Sequence, residues 1–213
     1  MSYDGIVSRH LNRPLSRPLA RAFAHTPVTP NMVTAFTLLL SVAATILIAT
    51  GFQIVGGIGI QVVSVVDGVD GELARLTNKA TRFGGIFDAV SDRYADALML
   101  GGMTIYAVRF EHHPHAEAIG MLALAGSLII SYSRARIEAS IGPEAAAPAG
   151  RTGDLVFGLA SRDVRSLIAA VGTIAGQCYV TLIVLAGLCA ATVAWRLAYL
   201  RFTGVGAPNQ KQG

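Results

Sequence analysis

The chain has 213 residues, of which 53% are hydrophobic and only 14% are charged. Soluble domains average about 25% charged residues, so the composition argues against an ordinary soluble protein and favours a membrane protein. The net charge of +4 would suggest nucleic-acid binding in a soluble chain. Here the basic residues alternate with apolar segments, so membrane topology explains them, and no nucleic-acid partner is expected.

Apolar segments recur along the chain and predict an all-α integral membrane fold with six transmembrane helices. The second segment is too short to cross a hydrocarbon core of about 30 Å by itself, so we expect its helix to continue through the polar stretch that ends at Arg75. The fourth segment is likewise expected to run on towards Arg136. The six segments are residues 31–50, 53–66, 84–108, 117–133, 164–176 and 178–200.

Basic residues are distributed unevenly with respect to these segments. A six-span topology places all but two of the 17 Arg and Lys residues on one side of the membrane. The exceptions are Arg93, within the third segment, and Arg109, on the opposite side. The positive-inside rule then predicts a multi-pass protein of the cell membrane with both termini in the cytoplasm.

The residues before the first span predict an amphipathic helix on the membrane surface, followed by a rigid turn. Pro14 and Pro18 predict that this helix bends or breaks. Thr29 before Pro30 predicts a helix cap with proline in the first turn. Apolar side chains recur at helical spacing through residues 4–24 with arginines between them: Ile6, Val7, Leu11, Leu15, Leu19 and Phe23.

This pattern divides the chain into a surface helix and elbow at 1–30, a six-helix domain at 31–203 and a flexible tail at 204–213.

Two connections within the six-helix domain differ in character. Residues 141–160 are expected to form a flexible cytoplasmic loop. Residues 111–115, rich in histidine, form either a solvated turn or, less favoured, a metal site on the opposite side of the membrane. Cys178 and Cys189 share one apolar segment and cannot pair, so they are interpreted as small apolar side chains.

Aspartates interrupt the second and third apolar segments at regular spacing. Asp67 and Asp70 share one face of the second helix, and Asp88 and Asp92 share one face of the third. The short basic loop at 76–83 would fold these helices into an antiparallel pair, so the carboxylates converge near the cytoplasmic surface. Carboxylates at membrane depth are costly and indicate a functional site.

Converging carboxylates indicate a divalent metal ion, because several anions in a low-dielectric site cannot all stay ionised without cations. Mg²⁺ and Mn²⁺ prefer such oxygen ligands, and no Cys or His stands nearby to suggest zinc. Gly71 and Gly84 leave room for a ligand next to the backbone, Ala74 keeps the same face open, and Arg75 can contact a phosphate. Taken singly, Gly71 and Ala74 are more typical of close helix packing in membranes than of a ligand site.

The complete pattern resembles the signature of the CDP-alcohol phosphatidyltransferases, which it matches at Asp67, Asp70, Gly71, Ala74, Arg75, Gly84, Asp88 and Asp92. The resemblance implies a CDP-binding metal site that faces the cytoplasm, and a homodimer. It implies that Asp67, Asp70 and Asp88 bind the metal and that Asp92 is a further ligand and the general base. The residues that it assigns to the CDP moiety are Gly71, Ala74, Arg75 and Gly84.

Arginines near the ends of the fourth and fifth segments predict where the acceptor binds. Arg134, Arg136, Arg162 and Arg165 carry guanidinium groups that suit phosphate, although positive-inside anchoring explains each of them equally well. With the stretches 4–14 and 26–31, they resemble the inositol-phosphate-using branch, which includes phosphatidylinositol-phosphate synthases and di-myo-inositol-phosphate-phosphate synthases. We therefore expect transfer from CDP-diacylglycerol or CDP-inositol to inositol phosphate with release of CMP. Glycerol phosphate, serine and inositol are the alternative acceptors.

Two other functions are compatible with acids in a membrane. An intramembrane prenyltransferase needs a second Asp-rich motif, and after Asp96 only Asp154 and Asp163 remain. A transporter or channel would explain the acids but not the accompanying glycine, alanine and arginine.

The di-myo-inositol-phosphate-phosphate synthases, the second group of the resembled branch, are often fused to a soluble cytidylyltransferase domain. A free-standing enzyme and a fragment of a fused protein are therefore both open.

Overall fold

The computed structural model describes residues 8–142 and 161–203, and these ranges are helical apart from short connections. No strand occurs within them, so the predicted all-α class is confirmed. Within the described ranges, a short π-helical turn at Ser8–Asn12 precedes seven α-helices. They are α1 (Arg13–Ala24), α2 (Pro30–Ala49), α3 (Gln53–Leu76), α4 (Arg82–Arg109), α5 (Ala116–Ile141), α6 (Arg162–Ile174) and α7 (Cys178–Thr203).

Four helices, α2, α3, α5 and α7, are long and apolar enough to cross a membrane. The continuation of the second helix is confirmed, since α3 ends at Leu76. Helix α4 has 28 residues but carries several charged side chains. Helix α6 has 13 residues, which at 1.5 Å per residue gives about 20 Å, less than the hydrocarbon core. Helices therefore occupy all six predicted segments, and membrane crossing by α4 and α6 stays a prediction.

Helix α3 lies between α2 and α6, and small residues allow this close approach. A Cβ atom on Gly56 would collide with Ile48 of α2, and one on Gly57 would collide with Ile174 of α6. Helices α3 and α4 both pack extensively on α2 rather than on each other along their length. The expected antiparallel pair of α3 and α4 is therefore opened by α2, although a short turn still joins the two helices.

Helix α1 packs on α3 through one face and leaves its leucines exposed. Ser16 and Ala20 are buried, and Asn12 accepts a hydrogen bond from Gln61 at 3.0 Å. Of the predicted bend or break at the prolines, a break does not occur: α1 has a proline in its first turn, where the backbone N–H needs no helical partner, and continues through Pro18. A bend stays a prediction. The exposed leucines are Leu15 and Leu19 of α1 and Leu11 of the preceding π-helical turn, as an amphipathic surface helix requires; Ile6 and Val7 lie outside the described residues.

Threonine side chains cap the N-termini of α2 and α4. Thr29 accepts a hydrogen bond from the Met32 amide at 3.3 Å, which confirms the predicted cap of α2. Thr81 caps α4 in the same way, and Asn78 adopts a left-handed conformation in the turn from α3 to α4. Residues 143–160 of the predicted loop, and the whole predicted tail at 204–213, lie outside the described residues.

The histidine-rich turn at 111–115 closes the end of the bundle at which α4 ends and α7 begins. The Glu111 carboxylate accepts hydrogen bonds from the amides of Cys178 and Tyr179, at 2.6 and 2.9 Å, and so caps α7. The His113 ring stacks on Tyr179 with 4.2 Å between ring centroids. Its three histidines are exposed and belong to no metal-binding group among the described residues, in agreement with a turn.

Candidate metal centre

Three carboxylates from two helices converge at one end of the bundle. Asp67 on α3 and Asp88 and Asp92 on α4 each offer an oxygen, and these oxygens lie within 4.8 Å of one another. All three residues are partly buried. In the part of the chain that the structure describes, no other group of three or more acidic, histidine or cysteine side chains is this close. An all-oxygen set suits a hard divalent cation such as Mg²⁺ or Mn²⁺.

Asp70, the fourth predicted metal ligand, lies beside this group rather than in it. Its side chain is buried, with 7% of its surface exposed. The Thr34 hydroxyl donates to one carboxylate oxygen at 2.5 Å, and the Gly71 amide donates to the other at 2.5 Å. Each oxygen retains a second acceptor site, so the assignment of Asp70 as a metal ligand stays a prediction.

The guanidinium group of Arg162, the first residue of α6, lies among the carboxylates. Its Nη1 atom is 2.5 Å from Asp67 Oδ2 and 2.9 Å from Asp92 Oδ1. Its Nε atom is 3.3 Å from Asp96 Oδ1. The positive charge offsets the repulsion between acids that are held together in a poorly hydrated place. One predicted acceptor residue therefore contacts two predicted metal ligands directly.

The other three predicted acceptor arginines lie elsewhere. Arg165 is buried, with 6% of its surface exposed, and donates to Ser127 Oγ at 3.0 Å. Arg134 pairs with Glu138 at 2.8 Å on an exposed face of α5, and Arg136 is also exposed. Among these four arginines, the structure brings only Arg162 into contact with members of the group of three carboxylates, Asp67 and Asp92.

The two signature glycines have different surroundings. A Cβ atom on Gly71 would meet nothing closer than the Arg75 guanidinium group, at 3.8 Å, so this surface is open. A Cβ atom on Gly84 would lie 3.0 Å from both Asn31 and Thr81, which is tighter than ordinary contact. Gly71 therefore leaves room for a ligand to approach the backbone, whereas a side chain at position 84 would require Asn31 and Thr81 to shift. The assignment of both glycines to the CDP site stays a prediction. Ala74 is half-buried on the face of Gly71.

Two charged residues near the carboxylates were not predicted as site residues. Arg93 donates to Ser131, and its Nη2 atom is 3.4 Å from Asp92 Oδ2. Asp96 lies one turn beyond Asp92 and contacts Arg162. The sequence carried a signal for Asp96, because residues 88, 92 and 96 step by four and share one face of a helix. Arg93 offered only its position inside a membrane segment.

Glu72 connects the surface helix to the helix that carries the signature. Its carboxylate pairs with Arg13 of α1, and it lies 3.6 Å from Arg17 and 3.5 Å from Arg75. One acid thus holds α1 and also restrains Arg75, whose side chain is 58% exposed. Arg75 is therefore directed along the open surface next to Gly71.

Comparison with known proteins identifies the family. The sequence profile of the CDP-alcohol phosphatidyltransferases matches residues 27–203, which include every described residue of the site. The chain belongs to this family. The resemblance seen in the signature residues is confirmed by a match that extends over most of the chain.

Curated relatives within the family carry names that refer to inositol phosphates or to related two-function enzymes. A "Bifunctional IPC transferase and DIPP synthase" of Rubrobacter xylanophilus is 43% identical over 175 residues, which are 81% of this chain and 37% of that protein. An archaetidylinositol phosphate synthase of Pyrococcus horikoshii is 34% identical over 142 residues, 66% of each chain. The chain spans less than half the length of the bifunctional relatives.

Solved structures of the Mycobacterium tuberculosis phosphatidylinositol phosphate synthase have a similar fold. The structure with CDP-DAG bound has a TM-score of 0.71 and 25% identity, and the match covers 87% of this chain and 92% of that one. The structure in complex with manganese and citrate has a TM-score of 0.73 at the same identity and covers 91% and 92%.

Proposed function

We propose that this chain transfers a substituted phosphate group from a CDP-alcohol to an alcohol acceptor and releases CMP. The observation that carries the proposal is the convergence of Asp67, Asp88 and Asp92, two of which contact the guanidinium group of Arg162. Such a site joins oxygen ligands for a metal ion to a side chain suited to phosphate. Membership in the CDP-alcohol phosphatidyltransferase family supports this reaction type.

The donor is CDP-diacylglycerol or CDP-inositol, and the acceptor is inositol phosphate. CDP-diacylglycerol as donor is supported by the relative that was solved with CDP-DAG bound. The acceptor is supported by relatives that are named archaetidylinositol phosphate synthase and phosphatidylinositol phosphate synthase. Glycerol phosphate, serine and inositol are the alternatives. Transport and prenyl transfer are more remote, because neither accounts for the family match.

The metal ion is Mg²⁺ or Mn²⁺, held by Asp67, Asp88 and Asp92 with Asp70 alongside. A relative solved with manganese supports this choice. When bound, a divalent ion offsets the charge of the diphosphate and makes CMP a better leaving group. Gly71, Ala74 and Arg75 form the wall against which the CDP moiety lies, and this assignment is supported by the open surface between Gly71 and Arg75. Gly84, the fourth residue of the proposed CDP site, serves it by leaving room for Asn31 and Thr81 beside α4.

The proton and the acceptor are handled by side chains of this chain. Asp92 accepts the proton of the acceptor hydroxyl. The acceptor oxygen then forms a bond to the phosphorus that carries the alcohol, and the bond from that phosphorus to the CMP oxygen breaks in line with it. Arg162 orients the acceptor by hydrogen bonds to its phosphate group. No covalent bond to the protein is needed.

The proposed topology has six spans, with α4 and α6 crossing and both termini in the cytoplasm of a multi-pass cell-membrane protein. The position of the site supports this topology, because its residues come from the C-terminal half of α3, the N-terminal half of α4 and the start of α6 and meet at one end of the bundle. The positive-inside distribution of arginines assigns that side to the cytoplasm. A homodimer, and the division into parts at 1–30, 31–203 and 204–213, are included in the proposal.

A panel assay tests the function. The purified chain in phospholipid nanodiscs is given CDP-diacylglycerol or CDP-inositol with inositol phosphate, glycerol phosphate, serine or inositol, and released CMP is measured with Mg²⁺, with Mn²⁺ and with chelator. We expect CMP only when metal, donor and inositol phosphate are all present. If no acceptor yields CMP while the same protein in liposomes passes ions, the chain is a transporter and the proposal fails.

A further inference from the structure

Asp96 is a buried acid that lies outside the family signature and outside the group of three carboxylates. It is 5% exposed and follows Asp92 by one helical turn on α4. Its Oδ2 atom accepts a hydrogen bond from Ser127 at 3.1 Å and lies 3.4 Å from Arg165 Nη2. Its Oδ1 atom lies 3.3 Å from Arg162 Nε. A buried carboxylate with several donors has a fixed orientation, because each donor restrains it.

The contacts made by Nη1 and by Nε of Arg162 would respond differently to a bound metal ion. The Nη1 atom contacts oxygens of Asp67 and Asp92, which are proposed metal ligands. Arg162 and a divalent cation would bind the same two carboxylates, and the two positive charges repel each other. The Nε contact uses Asp96, which does not belong to the metal group. Only this contact is independent of the metal.

We propose that Asp96 is a positioning residue that holds Arg162 beside the metal centre, where the guanidinium group receives the phosphate of the acceptor. The proposal rests on the proposed function and deepens it by assigning how the acceptor site is ordered. Asp96 binds one edge of the guanidinium plane through Nε. The two Nη groups are then left to make paired hydrogen bonds to a phosphate. Asp96 does not touch the substrate.

The same acid also holds Arg165 in the interior of the bundle. Arg165 is buried and is held by Asp96 and by Ser127, which in turn donates to Asp96. Asp96 therefore connects one buried arginine with the partly exposed Arg162. The buried arm fixes the carboxylate, and the fixed carboxylate fixes the arginine at the site.

Binding measurements separate positioning from simple stabilisation. The affinity of the Mn²⁺-loaded protein for inositol 1-phosphate is measured by calorimetry in wild type, Asp96→Asn and Arg162→Gln, and Mn²⁺ affinity is measured by electron paramagnetic resonance. We expect Asp96→Asn to weaken inositol 1-phosphate binding and to raise its KM by ~10-fold. Mn²⁺ affinity and the KM for the CDP donor should stay within ~2-fold. The double variant Asp96→Asn/Arg162→Gln should bind no more weakly than Arg162→Gln alone, because both changes act through one side chain.

Two controls keep the test decisive. Asp96→Asn/Arg165→Gln removes both members of the buried charge pair and should show the same weakening without an unpaired buried cation. Glu111→Gln, a change of the same type at the opposite end, should lower the melting temperature and leave inositol 1-phosphate affinity unchanged. Equal losses of Mn²⁺, donor and inositol 1-phosphate affinity in Asp96→Asn, or additive effects with Arg162→Gln, overturn the positioning role. A wild-type protein that binds inositol 1-phosphate but releases no CMP refutes the proposed reaction, while the binding comparison still decides the role of Asp96.

Discussion

The two ends of the helical bundle both contain partly buried acids, but the acids have different partners. At one end, the two oxygens of Glu111 accept hydrogen bonds from two backbone amides at the start of α7, so both oxygens of this acid serve the fold. At the other end, Asp67, Asp88 and Asp92 face one another, and the guanidinium group of Arg162 contacts Asp67 and Asp92. Carboxylates that face each other repel, and a bound cation relieves this repulsion. Glu111 therefore stabilises the fold, whereas the three aspartates are placed to bind a cation.

The largest expected effect comes from removing one of the converging acids. Asp88→Asn removes one of the proposed carboxylate ligands, so Mn²⁺ binding should be lost and CMP release should fall by at least ~10³-fold. Glu111→Gln, as the matched control, should keep CMP release within ~3-fold of wild type. Equal losses of activity in both variants would end the distinction between the two kinds of acid.

A second effect separates roles within the group of three. If Asp92 takes the proton, Asp92→Asn should lower turnover by ~10²- to 10⁴-fold. Much of the Mn²⁺ affinity should be kept, because Asp67, Asp70 and Asp88 are the principal proposed ligands and Asp92 is a further one, whereas Asp88→Asn removes a principal ligand. Turnover and Mn²⁺ binding are measured on the same preparation. Near-wild-type turnover with bound Mn²⁺ would show that another group accepts the proton.

The signature glycines provide a third test, since one faces open space and the other faces packed atoms. Gly71→Ala should raise the KM for the CDP donor by ~10-fold with little change in the melting temperature, because the added methyl group enters the open surface beside Arg75. Gly84→Ala should destabilise the protein by about 1–3 kcal/mol, because its Cβ would crowd Asn31 and Thr81. The reverse pattern would assign ligand contact to Gly84 and packing to Gly71.

The smallest effect is expected at the capping acid. Glu111→Gln keeps one acceptor oxygen, so α7 should lose about 1 kcal/mol of stabilisation. Thermal unfolding in detergent should show a drop of a few degrees with unchanged Mn²⁺ affinity. A change in Mn²⁺ affinity would mean that the two ends of the bundle are coupled.

Local patterns in the sequence were sufficient for the helices, the cap at Thr29 and the convergence of the acids. Each of these depends on helical spacing or on neighbours in the chain. The place of α2 between α3 and α4 could not be predicted, because it depends on packing between distant segments. The contact of Arg162 with Asp67 joins residues 95 positions apart, so the four candidate arginines looked alike in the sequence. Only the fold separates Arg162 at the site, Arg165 in the interior and the exposed Arg134 and Arg136.

Metal-dependent release of CMP tests the central claim most directly. The wild-type chain in nanodiscs is supplied with CDP-diacylglycerol and inositol phosphate, and CMP is measured before chelation, after chelation and after Mn²⁺ is restored. We expect CMP release to stop on chelation and to return with Mn²⁺ in wild type, and Asp67→Asn to release none under any of these conditions. CMP release that persists in chelator, or that survives in Asp67→Asn, would contradict the assignment of the converging carboxylates as the metal centre.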